Sequence, residues 1–529
     1  MDKLTAKVLL KRITVWKEEG LPEIFRLTPP ISTPIGEFNG SVEKQLDDNF
    51  VGARYCKSQA DTDSITAAAD AGNYLAQAYL SILYDREGTL VEKDRLVAEE
   101  YANKAISWLK ENAARGNIYA MFNLAMCYND GRGVKKDLEE GVRYARLSAG
   151  RSHSSAQFFL GVSYRNGTGV IKDEKKAAVW FQLAANQNHA GAQFVMGLCF
   201  HHGTGVTKDE RKAVTFFKLA VEQEHLDAHL IIAHCYAKGV GVAKDEQEAV
   251  RYYKLIADRG EALAQYSLSY CYSKGIGVAK EEHMAFKYSK MAAEQGNVSA
   301  LFNIAMFYAD GTGVSKDMME AVRYYTLAAA QNHAGAQYKL GVCFNNGTGV
   351  RKDGKEAVRL CQAAAGQGHG GAQYFMGRCY QRGSEVCKDE AEAVRYFKSA
   401  ADKGHAGAQY HIGVRYHHGI HLTKDNTEAV RYYTLAADQG HTRAQYYLGM
   451  CYECGLGVSK NNMEAFRHYK LAADKGYARA QYKIGLFYTF SIGVTEDKEE
   501  ATRYLQLAAT QGHAKSQKFL AFIAQVNIL

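Results

Sequence analysis

The tetrapeptide Gly-x-Gly-Val returns every 36 residues along most of this 529-residue chain. Its first glycine stands at Gly131, Gly167, Gly203, Gly239, Gly275, Gly311, Gly347, Gly383, Gly419 and Gly455, and Ser491 takes the next place. No residue is inserted or deleted between them. A strict period of this length requires a solenoid, because one such unit is too small to bury its own apolar face and must stack on copies of itself. A chain this long would otherwise divide into several globular domains; the repeat replaces that expectation with one unbroken array.

Each unit reads as two helices. Between Ala408 and His441, Ala408, Ile412, Gly413 and Tyr416 fall on one stripe, as on a buried helical face. Gly413, lacking a side chain, is expected to admit a neighbouring backbone. Gly419 ends this helix in the left-handed conformation that glycine adopts freely. Asp425 caps the second helix, and Glu428 is expected to reach back to it as a capping box. The same spacing recurs at Asp137/Glu140, Asp245/Glu248, Asp317/Glu320, Asp353/Glu356, Asp389/Glu392, Asn461/Glu464 and Asp497/Glu500. Ala429, Val430, Tyr433, Ala436 and Ala437 form the second buried face. Eight histidines end units (His153, His189, His225, His333, His369, His405, His441 and His513), where a donor or cation beside the last helical carbonyls explains them.

The chain divides into an N-terminal segment, 1–59, the repeat array, 60–513, and a capping helix, 514–529. The first holds an amphipathic helix at 2–19 and an irregular stretch with all four prolines: Pro22, Pro29, Pro30 and Pro34. The array opens with a half-repeat, 60–73, and a long first repeat, 74–117; eleven 36-residue repeats follow. The capping helix carries Phe519, Leu520, Phe522 and Ile523 and closes the last hairpin, with homo-association through it as the alternative.

The formal charge of +8 is spread thinly and no basic run stands out, so nucleic acid is not expected. No stretch of about 18 apolar residues occurs, and the N-terminus lacks a signal-like apolar run. Membrane association is therefore not expected. Seven of the 11 cysteines occupy one register, from Cys127 to Cys451, as buried thiols of a reducing, cytoplasmic compartment would. The glycine turn follows a helix, not a strand, so it is no phosphate loop. The pairs His201-His202 and His417-His418, and Cys451-x-x-Cys454, lack further placed ligands. No cofactor, metal or catalytic residue is assigned.

The motif Ala-Gln-Tyr-x-Leu-Gly-x-x-Tyr-x-x-Gly-x-Gly-Val-x-x-Asp, followed by Glu-Ala-Val-x-Tyr-Tyr-x-Leu-Ala-Ala, resembles the Sel1-like repeat, a relative of the tetratricopeptide repeat. It is carried by Ala444, Gln445, Tyr446, Leu448, Gly449, Tyr452, Gly455, Gly457 and Val458, and again by Ala336, Gln337, Tyr338, Leu340, Gly341, Gly347, Gly349, Val350 and Asp353. The resemblance covers about residues 60–529. It implies an all-α, right-handed α/α superhelical solenoid of about twelve helix-turn-helix repeats, with first helices lining the concave wall. It also implies a non-enzymatic scaffold or adaptor for a protein or peptide partner, as in ER-associated degradation, chitin synthase activation, signalling or bacterial contact with host cells. The chain departs from the ER-resident members in showing no signal sequence, and from prenylated members in its ending, Val526-Asn527-Ile528-Leu529. It departs from the cysteine-rich branch in having usually one cysteine per repeat. Gly383-Ser384-Glu385-Val386 and Gly419-Ile420-His421-Leu422 lose the second glycine, so distorted turns are expected there. A self-associating or membrane-docked structural protein is the alternative reading, and a hydrolase a distant third.

On the concave wall implied by the resemblance, the recurrent aromatic and the positions four and seven residues later share one face. These are Tyr338, Val342 and Asn345; Tyr374, Arg378 and Gln381; and Tyr410, Val414 and His417. Upstream, Phe194, Leu198 and His201 lie on the same face, with His234 and Tyr270 in the following copies. Tyrosine and arginine are frequent anchors of interfaces. The competing reading is that the aromatic rings serve packing between repeats.

Overall fold

Two apolar stripes separated by a left-handed glycine make a helical hairpin, and the computed structural model shows that hairpin repeated. It describes residues 94–526 and, ahead of them, Thr66, Ala67, Ala69, Asp70, Gln77 and Leu80. The expected helix at 2–19, the proline-marked stretch to 59 and most of 60–93 lie outside the described residues. The described residues hold 24 helices and no strand.

The chain divides into two compact units, Met1–Gln295 and Gly296–Leu529, although the 36-residue period passes through the boundary without an insertion. The first unit contains α1 (Arg95–Ala114), α2 (Ile118–Asp130), α3 (Leu138–Ala149), α4 (Ser154–Asn166), α5 (Glu174–Asn186), α6 (Ala190–His202), α7 (Glu210–Glu222), α8 (Leu226–Lys238), α9 (Glu246–Ala257), α10 (Ala262–Lys274) and α11 (Glu282–Glu294). The second contains α12 (Val298–Asp310), α13 (Met318–Ala330), α14 (Ala334–Asn346), α15 (Gly354–Gly366), α16 (Gly370–Arg382), α17 (Glu390–Asp402), α18 (Ala406–His418), α19 (Asn426–Asp438), α20 (Thr442–Cys454), α21 (Asn462–Asp474), α22 (Ala478–Thr489), α23 (Lys498–Thr510) and α24 (Ala514–Val526). Within each unit every helix packs on its neighbours in the chain. From α2 onward the even-numbered helix opens a hairpin and the odd-numbered one closes it. In α24, Ile523 is buried, Phe519 packs on Phe490 with ring centroids 6.0 Å apart, and Phe522 is exposed.

The hairpin turn is closed by backbone bonds. In α6 the Cys199 carbonyl accepts from both Gly203 (φ +74°) and Thr204, at 2.8 and 3.0 Å. The N-cap residue of the second helix then donates its own N–H back to the first: Asp209 to the Phe200 carbonyl at 2.8 Å, and Asp425 to Tyr416 at 3.0 Å. That N–H is therefore unavailable to the expected capping box. The Asp425 carboxylate does cap α19, accepting from Thr427 and Glu428 N–H at 2.8 and 3.0 Å. Glu428 turns away and holds the Arg431 guanidinium at 2.8 Å. The box is thus one-sided, and its acid belongs to an i,i+3 ion pair.

Gly413 is also spent differently from the expectation. A Cβ there would meet the Tyr433 ring at 2.7 Å, so the glycine makes room for an aromatic side chain of α19, not for a bare backbone. Gly161 over Phe181, Gly197 over Phe217, Gly377 over Phe397 and Gly449 over Tyr469 repeat the arrangement.

The second glycine of each turn seats one repeat on the last. Gly205 has φ +71°, and a Cβ there would collide with the Glu174 carbonyl oxygen at the start of α5. Gly205→Ala is expected to destabilise the first unit by about 2 kcal/mol, combining left-handed strain with overpacking. A urea-unfolding midpoint unchanged from wild type would refute this. The two turns lacking this glycine are not distorted as expected: Glu385 and His421 adopt the left-handed conformation themselves, at φ +60° and +53°. Opposite Glu385 the chain carries Gly354, whose missing side chain leaves space; a Cβ there would lie 2.5 Å from Glu385 Oε1.

A glutamine ladder completes the seam. Gln409 in α18 donates to the Ala401 carbonyl at the end of α17 at 3.3 Å, and its Oε1 accepts from Gln439 at 2.7 Å. The same pair recurs as Gln157/Gln187, Gln265/Gln295, Gln337/Gln367 and Gln481/Gln511. Lysine replaces the second glutamine at Lys403 and Lys475, which bond the Gly368 and Gly440 carbonyls instead. Gln373 and Gln445 correspondingly keep a buried Oε1 without a partner. Lys475→Gln is expected to raise stability by about 1 kcal/mol by pairing that oxygen. A lower urea midpoint in the variant would count against the ladder as a stabilising element.

Candidate partner-binding cleft

The unit-ending histidines belong to the next helix rather than to the last one. His189 is the N-cap of α6, and its Nδ1 accepts from Ala192 N–H at 3.1 Å. His333, His369, His405 and His441 cap α14, α16, α18 and α20 in the same way. A ring nitrogen accepting a hydrogen bond must be unprotonated, so these histidines act as neutral acceptors at a helix N-terminus. The expected donor role beside the preceding carbonyls is thereby corrected. Burial pushes His189 down to about 4 and His225, whose Nδ1 has no partner, down to about 3.

The recurrent aromatic of the first helix packs face-on or tilted against this imidazole. Phe158 stacks on His189 (centroids 4.7 Å apart), Phe194 on His225 (4.5 Å), Tyr338 on His369 (4.7 Å), Tyr374 on His405 (4.3 Å) and Tyr410 on His441 (4.8 Å). Much of each ring is therefore used between repeats. Phe194 and Leu198 are 1% and 7% exposed and offer a partner no surface. His201, His234 and Tyr270 are half-buried residues of the first unit. His201 and His234 are both held below the usual histidine range by burial, His234 at about 4.

In the second unit, Tyr338, Val342 and Asn345 are half-buried on α14, and Asn345 bonds its neighbour Asn346 at 2.8 Å. The next triplet meets a cleft of about 560 Å³. Tyr374, Arg378 and Gln381 of α16 line it together with Tyr410 of α18. Arg378 lies over the Tyr374 ring, 5.8 Å from its centroid. Val414 and His417 are half-buried on α18 but do not line this cleft; His417 meets His418 and Tyr433 instead.

Six further cleft residues fall outside the i, i+4, i+7 pattern: Arg382, His411 and the run Gly440, His441, Thr442 and Arg443. His411 stacks on Phe397 with centroids 4.7 Å apart and planes 6° from parallel. Burial, then the neighbouring Arg415 and Arg378 charges, push it down to about 3. Arg443 stands at the register of Gly371 and Gly407, where a Cβ would lie only 3.0 Å from the Tyr338 and Tyr374 rings. The copies vary at this register, with Asp227, Leu263 and Arg479 beside the glycines, and Arg443 is the copy that lines the cleft.

The family model described as the Sel1 repeat matches residues 75–107, 118–153, 154–189, 190–225, 226–261, 262–297, 298–333, 334–369, 371–405, 406–441, 442–477 and 478–513. The chain belongs to the Sel1 repeat family. Among solved structures, a protective antigen present in uropathogenic Escherichia coli strains and displaying an SLR fold is 28% identical, with a TM-score of 0.68 over 80% of this chain and 90% of its own. A Sel1 repeat protein from Oxalobacter formigenes is 25% identical, with a TM-score of 0.45 over 66% of this chain and 97% of its own. No curated protein matches the chain. The Sel1 repeats account for the glycine turns, the glutamine ladder and the stacked aromatics, which recur. They do not account for three arginines gathered at one cleft. Among the described residues, no helix is long and apolar enough to cross a membrane, and no group of three or more His, Cys, Asp or Glu side chains is placed to hold a metal ion.

Proposed function

We propose that this Sel1 repeat protein is a non-enzymatic scaffold that holds a protein or peptide partner in the cleft between α16, α18 and the start of α20. The observation that carries this reading is the convergence of Tyr374, Arg378, Gln381, Tyr410 and Arg443 on one concavity built from helices. Rings already stacked on His405 and His441 lose little freedom when a partner arrives, and such preorganisation favours affinity. Free thiols agree with work in the cytoplasm: none of the ten described cysteines is in a disulfide, eight of them are buried, and burial pushes Cys127 up to about 12 and Cys199 to about 11.

Proximity labelling in the native cell, followed by affinity capture, tests the site. Partners labelled by the wild-type chain are expected to be lost with Tyr374→Ala/Arg378→Ala/Arg443→Ala, while the melting curve stays within a few degrees. Unchanged capture by the folded triple variant would remove this cleft from the partner interface.

A further inference from the structure

Most arginines of the second helices are neutralised where they stand. Arg323, Arg359, Arg395, Arg431, Arg467 and Arg503 each hold the glutamate three residues earlier at 2.6 to 2.9 Å. Arg378, Arg382 and Arg443 sit on first helices, and none has a carboxylate within ion-pairing distance among the described residues. Their own sequence context does not demand them either. At the register of Arg378 other repeats carry Val162, Leu198, His234, Tyr270, Val342 and Val414; at that of Arg443 they carry Asp227, Leu263, Gly335, Gly371 and Gly407, and the following copy repeats the arginine at Arg479. Packing accepts residues as different as valine, tyrosine, aspartate and glycine at these places, so the repeat itself does not dictate the arginines.

The surroundings sharpen the sign of that requirement. No acidic side chain lines the cleft. Its neutral surfaces include the Tyr374 and Tyr410 rings, the Gln381 amide, His411 and the segment 440–442. A guanidinium presents a planar fork of donors matched to a carboxylate, so unpaired arginines grouped on one concavity select an anion. Arg378 and Arg382 lie one helical turn apart on α16, whereas Arg443 comes from α20, two repeats further on. An occupant that meets all three must cross successive first helices. An extended chain does so while placing alternate side chains on one face.

We infer that the cleft of the second unit recognises an acidic peptide segment bound in extended form, with one carboxylate held by Arg378 and Arg382, another by Arg443, and apolar side chains against Tyr374 and Tyr410. This inference rests on the cleft being the partner site and adds the chemistry of what it takes.

Selection of random short peptides displayed on phage against the immobilised full chain tests it, with each enriched peptide remade and measured by fluorescence polarisation. Enriched sequences are expected to carry two or more Asp or Glu residues. Arg378→Val and Arg443→Gly, each restoring the residue that other repeats carry and so retaining the fold, should each weaken binding by roughly tenfold or more. Arg431→Gln, on the outward ion pair of α19, should leave it unchanged, and added NaCl should weaken it. Enriched peptides without acidic residues that still depend on Tyr374 and Tyr410 would overturn the acidic specificity and leave the scaffold reading standing. No enrichment, or enriched peptides indifferent to every cleft variant, would overturn both. Binding of a thymidine oligonucleotide lost in the same two arginine variants, without any enriched peptide, would assign the cleft to nucleic acid and also overturn the inference.

Discussion

Glu390→Ala is expected to destabilise the second unit by about 3 kcal/mol, because it strands a buried cation. Arg415 occupies the register where Cys343, Cys379 and Cys451 stand in neighbouring repeats, and its side chain is only 2% exposed. Its charge is met by Glu390 at the start of α17, 2.8 Å away, and its guanidinium lies over the Phe397 ring, 4.8 Å from the centroid. One guanidinium nitrogen, Nε, has no partner even so. Removing the carboxylate leaves the desolvation cost of the cation with little to offset it. Arg415→Cys restores the residue of the other copies and is expected to be neutral or mildly stabilising, as well-packed replacements of buried ion pairs often are. In that background Glu390→Ala should cost less than about 1 kcal/mol, the remnant of an acid at a helix N-terminus. A urea-denaturation cycle over the four proteins measures the coupling; equal costs of Glu390→Ala in both backgrounds would show that the ion pair does not hold α17 to α18.

Acidification is expected to loosen the array between pH 6.5 and about 4, before most carboxylates titrate. Burial holds His189, His225, His369, His405 and His441 below the usual histidine range, and in all of these but His225 the neutral ring also accepts the cap bond. The unfolded chain therefore takes up protons first as the pH falls. Stability from this source is complete above 6.5 and is lost progressively as pH drops toward about 4 for His189 and about 3 for His225. Together these two contribute on the order of 5 kcal/mol by pH 4. Asn297 and Asn117 already cap α12 and α2, each accepting an N–H at 3.0 Å without titrating. His189→Asn should consequently preserve the cap, lose some stacking on Phe158, and flatten the fall in unfolding free energy between pH 6.5 and 5. A wild-type stability constant across that interval, or an identical slope in the variant, would refute a neutral imidazole cap.

What is legible in the sequence is what local backbone geometry demands. Gly203 must turn left-handed, Asp209 must cap, and the alanine-rich stripes must face a neighbour; each demand recurs at fixed spacing. The atom that a side chain meets is not legible in this way. Glu428 has a choice between its own helix start and Arg431, and the first option is closed because Asp425 N–H already bonds Tyr416, a contact made across the turn. Gly413 reads as a close approach, but spacing does not say whether a ring or a backbone approaches. The histidines look like the end of one helix and prove to be the start of the next, since only three residues separate the two helices, as between Asn186 and Ala190, and the Nδ1 bond distinguishes the roles. The aromatic, Arg378 and Gln381 were placed on one face by helical periodicity. Arg443 is not legible because it reaches the cleft from two repeats away, and its register varies too much along the chain, with Asp227, Leu263 and Arg479 in other copies, for the arginine to stand out. The division after Gln295 has no counterpart in the period.

The seam between neighbours has a consequence for how such a chain can change length. Within each compact unit the glycine-to-carbonyl seat, the imidazole under its ring and the paired glutamines recur between successive hairpins, with substitutions such as Glu385 and Lys403 at single places. Excision or duplication of one whole period brings together halves that already match. A loss or gain of any other size shears every downstream partner out of register at once. Such a protein can be edited only in whole-repeat quanta, and differences between copies, such as Arg443, are the places where it records what a particular repeat is for.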